Sequence, residues 1–465
     1  MACPGRNEKN PSNARPNARV RITRNSTEEL RNQAYFSFLL NIFLDLGITN
    51  YNNRNISQNS HLVSKHFSGI VVLRFLLAGG YFLLSMIIGF FIGYSNHDLY
   101  LLFVLLANQF ILSFVLYLRS NLTGLQLFKR DSIISVTDRF LMIVFCSILI
   151  WGVHAKTLNI EYFVYAQTLG YLLTALLAFI FLKGRITLGK FNWNPAFYIT
   201  ILKKSFPFAL LILLMTFYSR IDSIMIERLL PDGALQAGIY AQAYRILDAV
   251  NMFAYLFATL LLPMFAHMIK QKQPVNDLVK LAFSLLAVPS LTLAAVATFY
   301  KHNIMQLLYH EHAELSAPIF GVLMFSFFCM ASTYIFGTLL TANGSVMQLN
   351  IMAASAMVLN VVLNFILIPQ MKAFGASVSG LITQVLTALV QVIIAYRIFK
   401  LKPDMGLISR LVVFVIIVFT ASFISSQSVS SWLMGTGIVV LVGITSAFLL
   451  QLISVKKLIL IMKER

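Results

Sequence analysis

Long apolar runs, separated by short polar gaps, occupy almost the whole chain and leave it few ways to fold. A bilayer core needs about 17 to 25 apolar residues per helical span. Thirteen runs approach or exceed that length, at 34–50, 67–93, 98–119, 132–153, 159–182, 205–228, 236–268, 276–300, 315–342, 345–368, 374–399, 407–425 and 431–453. They are continuous and do not alternate, which excludes a transmembrane barrel and predicts an all-α, polytopic transmembrane helix bundle. With 58% hydrophobic and 11% charged residues, the chain lies outside the range of soluble domains. The first thirty residues hold no apolar segment of a cleavable signal peptide, so insertion is expected to rely on the spans themselves.

The net charge of +19 invites a nucleic-acid partner, but the placement of the basic residues argues against one. Of the 36 Lys and Arg, 21 fall in one alternate set of gaps and ends, including Arg54, Lys129, Lys183, Lys204, Lys280 and Lys402. The other set holds only Lys156, Arg228, Lys301 and Lys372. The positive-inside rule makes the first set cytoplasmic and puts the C-terminus in the cytoplasm, as expected of a multi-pass protein of a bacterial inner membrane. Cys3, Cys146 and Cys329 have no mutual spacing of a metal site or disulfide framework. No cofactor is expected, although coupling to an ion or to the membrane potential stays open.

A shift of 205 residues places Leu30 on Leu235 and Tyr35 on Tyr240. Each match leads from a short polar stretch into a helix with an aromatic start and an Asp in its middle, Asp45 or Asp248. Duplicated helix bundles are a common plan for transporters. The organisation expected is a polar, basic arm (1–32), an N-lobe of helices two to six (33–182), a basic cytoplasmic linker (183–204), a C-lobe of helices seven to twelve (205–400), and two additional helices with a basic tail (401–465). The helix at 205–228 has no counterpart in the first 23 residues, which are polar. The first helix of the repeat therefore reads as missing or replaced, through either an altered cytoplasmic arm or a misassigned or frameshifted start.

Once loops and arm are accounted for, Arg74, Arg139, Arg220 and Arg245 remain inside spans, with Asp45, Asp138, Asp222 and Asp248 as the available acids. A charge in hydrocarbon costs about 2.5 to 3.5 kcal/mol on the mildest scale, so such residues face a polar cavity or a partner. At about 1.5 Å per residue, Arg74 and Arg139 lie about 10 to 12 Å in from the cytoplasmic ends of their helices, Arg245 near mid-membrane and Arg220 towards the outer end. Facing one cavity, they would form a graded series of cationic sites suited to a phosphate or pyrophosphate. The alternative is that each Arg pairs with an Asp to hold helices together. Arg245 and Asp248 share a helix face and are placed to pair directly. Arg220 and Asp222 point to opposite sides and need partners on other helices, while Thr216, Ser219, Arg220, Ser223 and Glu227 form one polar stripe. Asn360 and Asn364 on one helix, and Gln384 and Gln391 on the next, suit interhelical hydrogen bonding more simply than sugar binding. Pro207, Pro263 and Pro289 lie inside spans as potential hinges. His310, Glu311 and His312 sit in an outer gap at 301–314, but two His at i and i+2 point apart and have no third ligand.

The segments FYSRIDSIMIERLLPDGALQAGIYAQAYRILDAVNMFAYLFATLLLPMFA (217–266), LNVVLNFILIPQMKAFGASVSGLITQVL (359–386) and FLDLGITNYNNRNIS (43–57) resemble the oligosaccharide, or O-antigen, flippases of the multidrug/oligosaccharidyl-lipid/polysaccharide (MOP) exporter superfamily. The likeness extends from about residue 25 to the C-terminus and rests on the order of the motifs. It implies two six-helix lobes around a central cavity, two extra C-terminal helices, no enzymatic activity, and a polyprenyl-pyrophosphate-linked oligosaccharide as substrate. That substrate would pass from the cytoplasmic to the periplasmic leaflet during surface polysaccharide synthesis. Membrane lipids and the polysaccharide polymerase machinery would be its other partners. Arg74, Arg220, Arg245, Asp248 and Arg139 are then the expected substrate-binding residues, and Asp45, Asp248 and Asp222 the expected coupling residues. A cation-coupled drug antiporter of the same superfamily would favour an acidic cavity, whereas four Arg here match four Asp. A membrane polymerase or glycosyltransferase would carry its catalytic residues in a large outer loop.

Overall fold

The computed structural model describes residues 40–151, 160–186 and 193–453, in which every regular element is an α-helix. The polar arm at 1–32, the repeat's first Leu and Tyr, and the basic tail after 453 lie outside the described residues. Two short helices open the described chain, α1 (Ile42–Asp45) and α2 (Ile48–Gln58). Then come α3 (Leu62–Ile92), α4 (Asn96–Gly124), α5 (Phe128–Trp151), α6 (Ile160–Leu182), α7 (Pro195–Leu229) and α8 (Gly233–Lys270). After them follow α9 (Asn276–Leu308), α10 (Ala313–Asn343), α11 (Val346–Phe399), α12 (Met405–Ser428) and α13 (Trp432–Leu449).

Eleven of these helices are long and apolar enough to cross a membrane, which makes the chain a multi-pass membrane protein. Helix α11, with 54 residues, is about 80 Å long and far exceeds a hydrocarbon core of about 30 Å. It is two spans, 346–371 and 373–399, reversing at Lys372, whose φ of 53° and ψ of −138° are non-helical. Asn364 on one arm and Ser379 on the other hydrogen bond at 2.6 Å, so the arms lie side by side. Twelve of the thirteen expected spans are therefore present.

The expected span at 34–50 is corrected, because its described part is broken. Leu46 (φ 43°) and Gly47 (φ 78°) adopt the left-handed conformation that ends α1. The Asp45 carboxylate then accepts the Thr49 N–H at 3.1 Å and so starts α2. A carboxylate that accepts an otherwise free N–H of a first turn is an N-terminal signal, here from four residues ahead, and Gly47 supplies the turn. The basic linker is also only partly a loop. Pro195 occupies the first position of α7, and the Asn194 side chain accepts the Phe197 N–H at 3.1 Å, so 195–204 is helical. The outer gap at 301–314 is likewise mostly helix, since α9 runs to Leu308.

The helices fall into two compact units. The first takes in the described parts of 1–49, 61–122 and 127–201, and the second those of 50–60, 123–126 and 202–465. In the second, α10 is packed against α8, α9 and α11 through a core that includes Leu247, Phe265, Leu286, Phe320, Phe327 and Leu339. Exposed side chains on the spans are largely apolar, such as Phe90, Phe91 and Ile143, as a lipid-facing surface requires. The C-terminal pair joins α9 by hydrogen bonds from Tyr300 to Ser425 (3.0 Å) and from Ser422 to the Ala295 carbonyl (3.2 Å). Asp404 caps α12 through the Leu407 N–H and receives Lys280 Nζ at 2.6 Å; the lysine first, then the backbone donor, hold its carboxyl below the usual carboxylate range.

Segment 50–60 is seated on the end of α10. The last two carbonyls there have no intrahelical donor, and Arg54 supplies them, from Nε to Ala342 O (2.9 Å) and from Nη2 to Asn343 O (3.0 Å). Gly344 follows with φ 92°, and a Cβ on it would lie 2.5 Å from Arg54 Nη2. Gly344→Ala is expected to destabilise the protein by about 1 kcal/mol or more. A lowered melting midpoint relative to Gly238→Ala, where an added Cβ meets nothing within 4 Å, checks this; equal midpoints would refute it.

Candidate functional site

The intramembrane charges separate into three environments. In the first unit Arg74 is 1% exposed and both terminal nitrogens of its guanidinium are taken up by protein groups. It is paired with Asp45, donates to Thr49 Oγ1 (2.7 Å), to Ser113 O (3.0 Å) and to Ser113 Oγ (2.9 Å), and lies 4.8 Å above the Tyr117 ring. This is the helix-holding arrangement: Asp45, at the break between α1 and α2, fixes that break to α3, and Ser113 adds α4. Arg139, in contrast, is 75% exposed, shares its face of α5 with Val136, Phe140 and Ile143, and has only its neighbour Asp138 at 3.6 Å. The structure does not bring it to Arg74.

The second environment lies along α7 and α8. On α7, Thr216, Arg220 and Glu227 are exposed, with Ser219 and Ser223 half-buried beside them. On α8, Arg245, Asp248 and Met252 are exposed at helical spacing on one face. Sequence spacing paired Arg245 with Asp248; the structure instead gives Asp248 Oδ2 to Arg220 Nη2 at 3.3 Å. Both are open, at 61% and 45% exposure, so the pair contributes little to stability. The Arg220 guanidinium also lies 5.6 Å over Tyr244, whose hydroxyl donates to Ser219 O at 2.8 Å. Packing of α7 on α8 therefore decides the partner, and Arg245 has no ion pair among the described residues.

The third environment is buried. Asp222, on the other side of α7 from Arg220, is 6% exposed. It accepts hydrogen bonds from Tyr240 (3.0 Å) on α8 and from Asn364 Nδ2 (2.7 Å) on α11. Asn364 also donates to Asn360 Oδ1 (3.1 Å), and Asn360 donates to Ser379 Oγ (3.3 Å) on the second arm. No cation pairs with Asp222 among the described residues. A carboxylate held only by neutral donors can take up a proton or a small cation, which a salt-bridged one cannot do without losing its partner. The i, i+4 spacing of Asn360 and Asn364 was the sequence signal for this cluster; Tyr240 was marked only as the repeat's counterpart of Tyr35, and Ser379 had no signal. No group of His, Cys, Asp and Glu able to hold a metal occurs among the described residues, and His302 is simply paired with Glu314 at 2.7 Å.

Solved structures share this all-helical fold. A MATE transporter of Vibrio cholerae, VcmN, is similar with a TM-score of 0.67 at 13% identity, over 81% of this chain and 88% of that one. An outward-facing multidrug resistance MATE family transporter of the MOP superfamily gives 0.66 at 15% identity, over 81% and 88%. A MOP superfamily transporter of Pyrococcus furiosus, described as having a binding pocket of reversed polarity, gives 0.58 at 17%, over 81% and 88%. The model of the polysaccharide biosynthesis protein family matches residues 33–269, and the chain belongs to that family. Comparison with curated protein sequences returns no match. Family and fold agree in making the chain a multi-pass membrane protein of the polysaccharide biosynthesis family.

Proposed function

We propose that the chain is a flippase that moves a polyprenyl-pyrophosphate-linked oligosaccharide from the cytoplasmic to the periplasmic leaflet of a bacterial inner membrane, with its C-terminus in the cytoplasm. The observation that carries this reading is Arg245, a permanently charged side chain exposed about a third of the way along α8, with no ion pair among the described residues. A cation at that depth needs an anion, and a pyrophosphate supplies one. Arg220 is the second contact. Asp248 competes with the substrate for it, so binding replaces one exposed ion pair with another and release restores the first. A grip of this kind is strong enough to capture and weak enough to let go. An apolar groove of about 390 Å³ between α9, α10 and α12, lined by Phe283, Leu291, Phe328 and Leu411, has the chemistry of a lipid chain.

The test is transfer of a polyprenyl-pyrophosphate oligosaccharide across proteoliposomes containing the full chain. Arg245→Ala is expected to lower the rate on the order of tenfold or more, the loss of one charge-assisted phosphate contact, with protein content unchanged. An unaltered rate sinks the assignment. The second reading, a cation-coupled antiporter of small molecules, is favoured by Asp222 alone. It predicts gradient-driven efflux of an organic cation that Asp222→Asn stops and Arg245→Ala spares.

A further inference from the structure

We infer that a carbohydrate-binding subsite lies on α8 and α10, built from Tyr255, Tyr334 and Asn251. The inference rests on the flippase reading and adds to it what the protein recognises besides phosphate. Tyr255 is 53% exposed. It continues the α8 face that carries Arg245, Asp248 and Met252, at the same three- and four-residue spacing. It lies about 33 Å from one end of that helix and about 22 Å from the other, so it is not one of the tyrosines that mark membrane interfaces, which sit at span ends. Its hydroxyl has no hydrogen-bond partner among the described residues, an arrangement that a lipid-facing phenol at mid-depth would not sustain.

Tyr255 is held in place. Its ring meets Tyr334 of α10 edge to face, with centroids 6.3 Å apart and planes at 71°. The Tyr334 hydroxyl in turn accepts Asn251 Nδ2 at 3.2 Å. Asn251 thus fixes Tyr334, and Tyr334 fixes the exposed Tyr255 ring. An exposed aromatic face with an unpartnered hydroxyl matches a pyranose, which stacks its C–H face on a ring and hydrogen bonds through its hydroxyls. A second phosphate would meet no cation at this point, and a lipid chain would leave the Tyr255 hydroxyl without a partner.

Asn251 lies about 9 Å and Tyr255 about 15 Å along the helix from Arg245. That separation places the subsite beyond the sugar joined to the pyrophosphate, under a later sugar of the oligosaccharide. Arg245 then reads the common head group, and Tyr255, positioned by Asn251 through Tyr334, reads the presence of an extended glycan. A carrier lipid without its sugars would thus be held less firmly than a completed one.

The experiment measures binding of two probes to the full chain in nanodiscs by native mass spectrometry: bare polyprenyl pyrophosphate, and polyprenyl pyrophosphate bearing a trisaccharide. The glycosylated probe is expected to bind on the order of tenfold more tightly, the factor supplied by one stacked ring and one hydrogen bond. Tyr255→Ala and Asn251→Ala are expected to erase that preference while leaving the bare lipid within about twofold of its original affinity. Tyr255→Phe, which keeps the ring, should retain most of it. Equal affinity of the unaltered protein for the two probes would overturn the subsite. So would a Tyr255→Ala variant that keeps the preference, or one that loses both probes equally. Arg245→Ala separates the two proposals: if it leaves both affinities unchanged, the phosphate assignment fails while a sugar preference lost in Tyr255→Ala still stands.

Discussion

Arg74→Ala is expected to cost about 3 to 5 kcal/mol of stability, the penalty for leaving one member of a buried ion pair without the other. Arg74 is 1% exposed and reaches Asp45, Thr49 and Ser113 at once, so its loss strands an acid and two hydroxyls and frees the start of α2 from α3. Purified Arg74→Ala should show a lower thermal midpoint and lower yield, and Arg74→Lys a partial recovery, because a single ammonium replaces a fork of donors. Arg245→Ala should leave the midpoint unchanged, since no protein group depends on it. Two arginines that look alike in the sequence would thereby separate into one needed for the fold and one needed for transport. An Arg74→Ala midpoint equal to that of the unaltered chain would refute the structural role.

The second large effect is expected at Asp222. Asp222→Ala leaves the Tyr240 hydroxyl and one N–H of the Asn364 amide enclosed without an acceptor, at about 1 to 3 kcal/mol each, and should lower both stability and transport. Asp222→Asn is the more informative change, because it keeps the volume and one carbonyl acceptor while removing the capacity to take up a proton or cation. In proteoliposomes, transport by the unaltered chain is expected to rise with an imposed proton or sodium gradient, and transport by Asp222→Asn to proceed at the rate seen without a gradient. A variant that still responds to the gradient would place coupling elsewhere, with Asp248 the next residue to change.

The sequence made the spans legible because hydrocarbon imposes the same demand on each of them: enough apolar length, and no unsatisfied backbone. It misled at 34–50, where apolar content hid a turn. Asp45, Leu46 and Gly47 together end one helix and start another, and Asp45 could be read as a cap only once its distance to Thr49 was known. The start of α7 lay inside the expected linker at 183–204, although Asn194 and Pro195 carry its signal, a cap followed by the residue best suited to a first turn. The site was half legible. Charge in an apolar run singled out Arg74, Arg220, Arg245 and Asp222, and helical spacing correctly sent Arg220 and Asp222 to opposite faces of α7. Spacing paired Asp248 with Arg245, whereas the structure pairs it with Arg220, because that choice depends on how closely α7 packs on α8. Nor did spacing point to Ser379 or Tyr334, ordinary residues in apolar runs whose importance comes from what faces them across the helix contact.

The reversal at Lys372 sets a depth gauge for the buried cluster. With one non-helical residue between the arms of α11, the connection has no slack, and each position on one arm is matched to a fixed height on the other. Asn364 lies eight residues before the bend and Ser379 seven after it, about 12 Å and about 10 Å down their arms, so both arrive level with Asp222. Lys372 itself reaches Asp232, between α7 and α8, at 3.0 Å and pins that level to the helices carrying Asp222 and Tyr240. Four lengths of helix are thus hung from one point, like callipers closed on a single carboxylate.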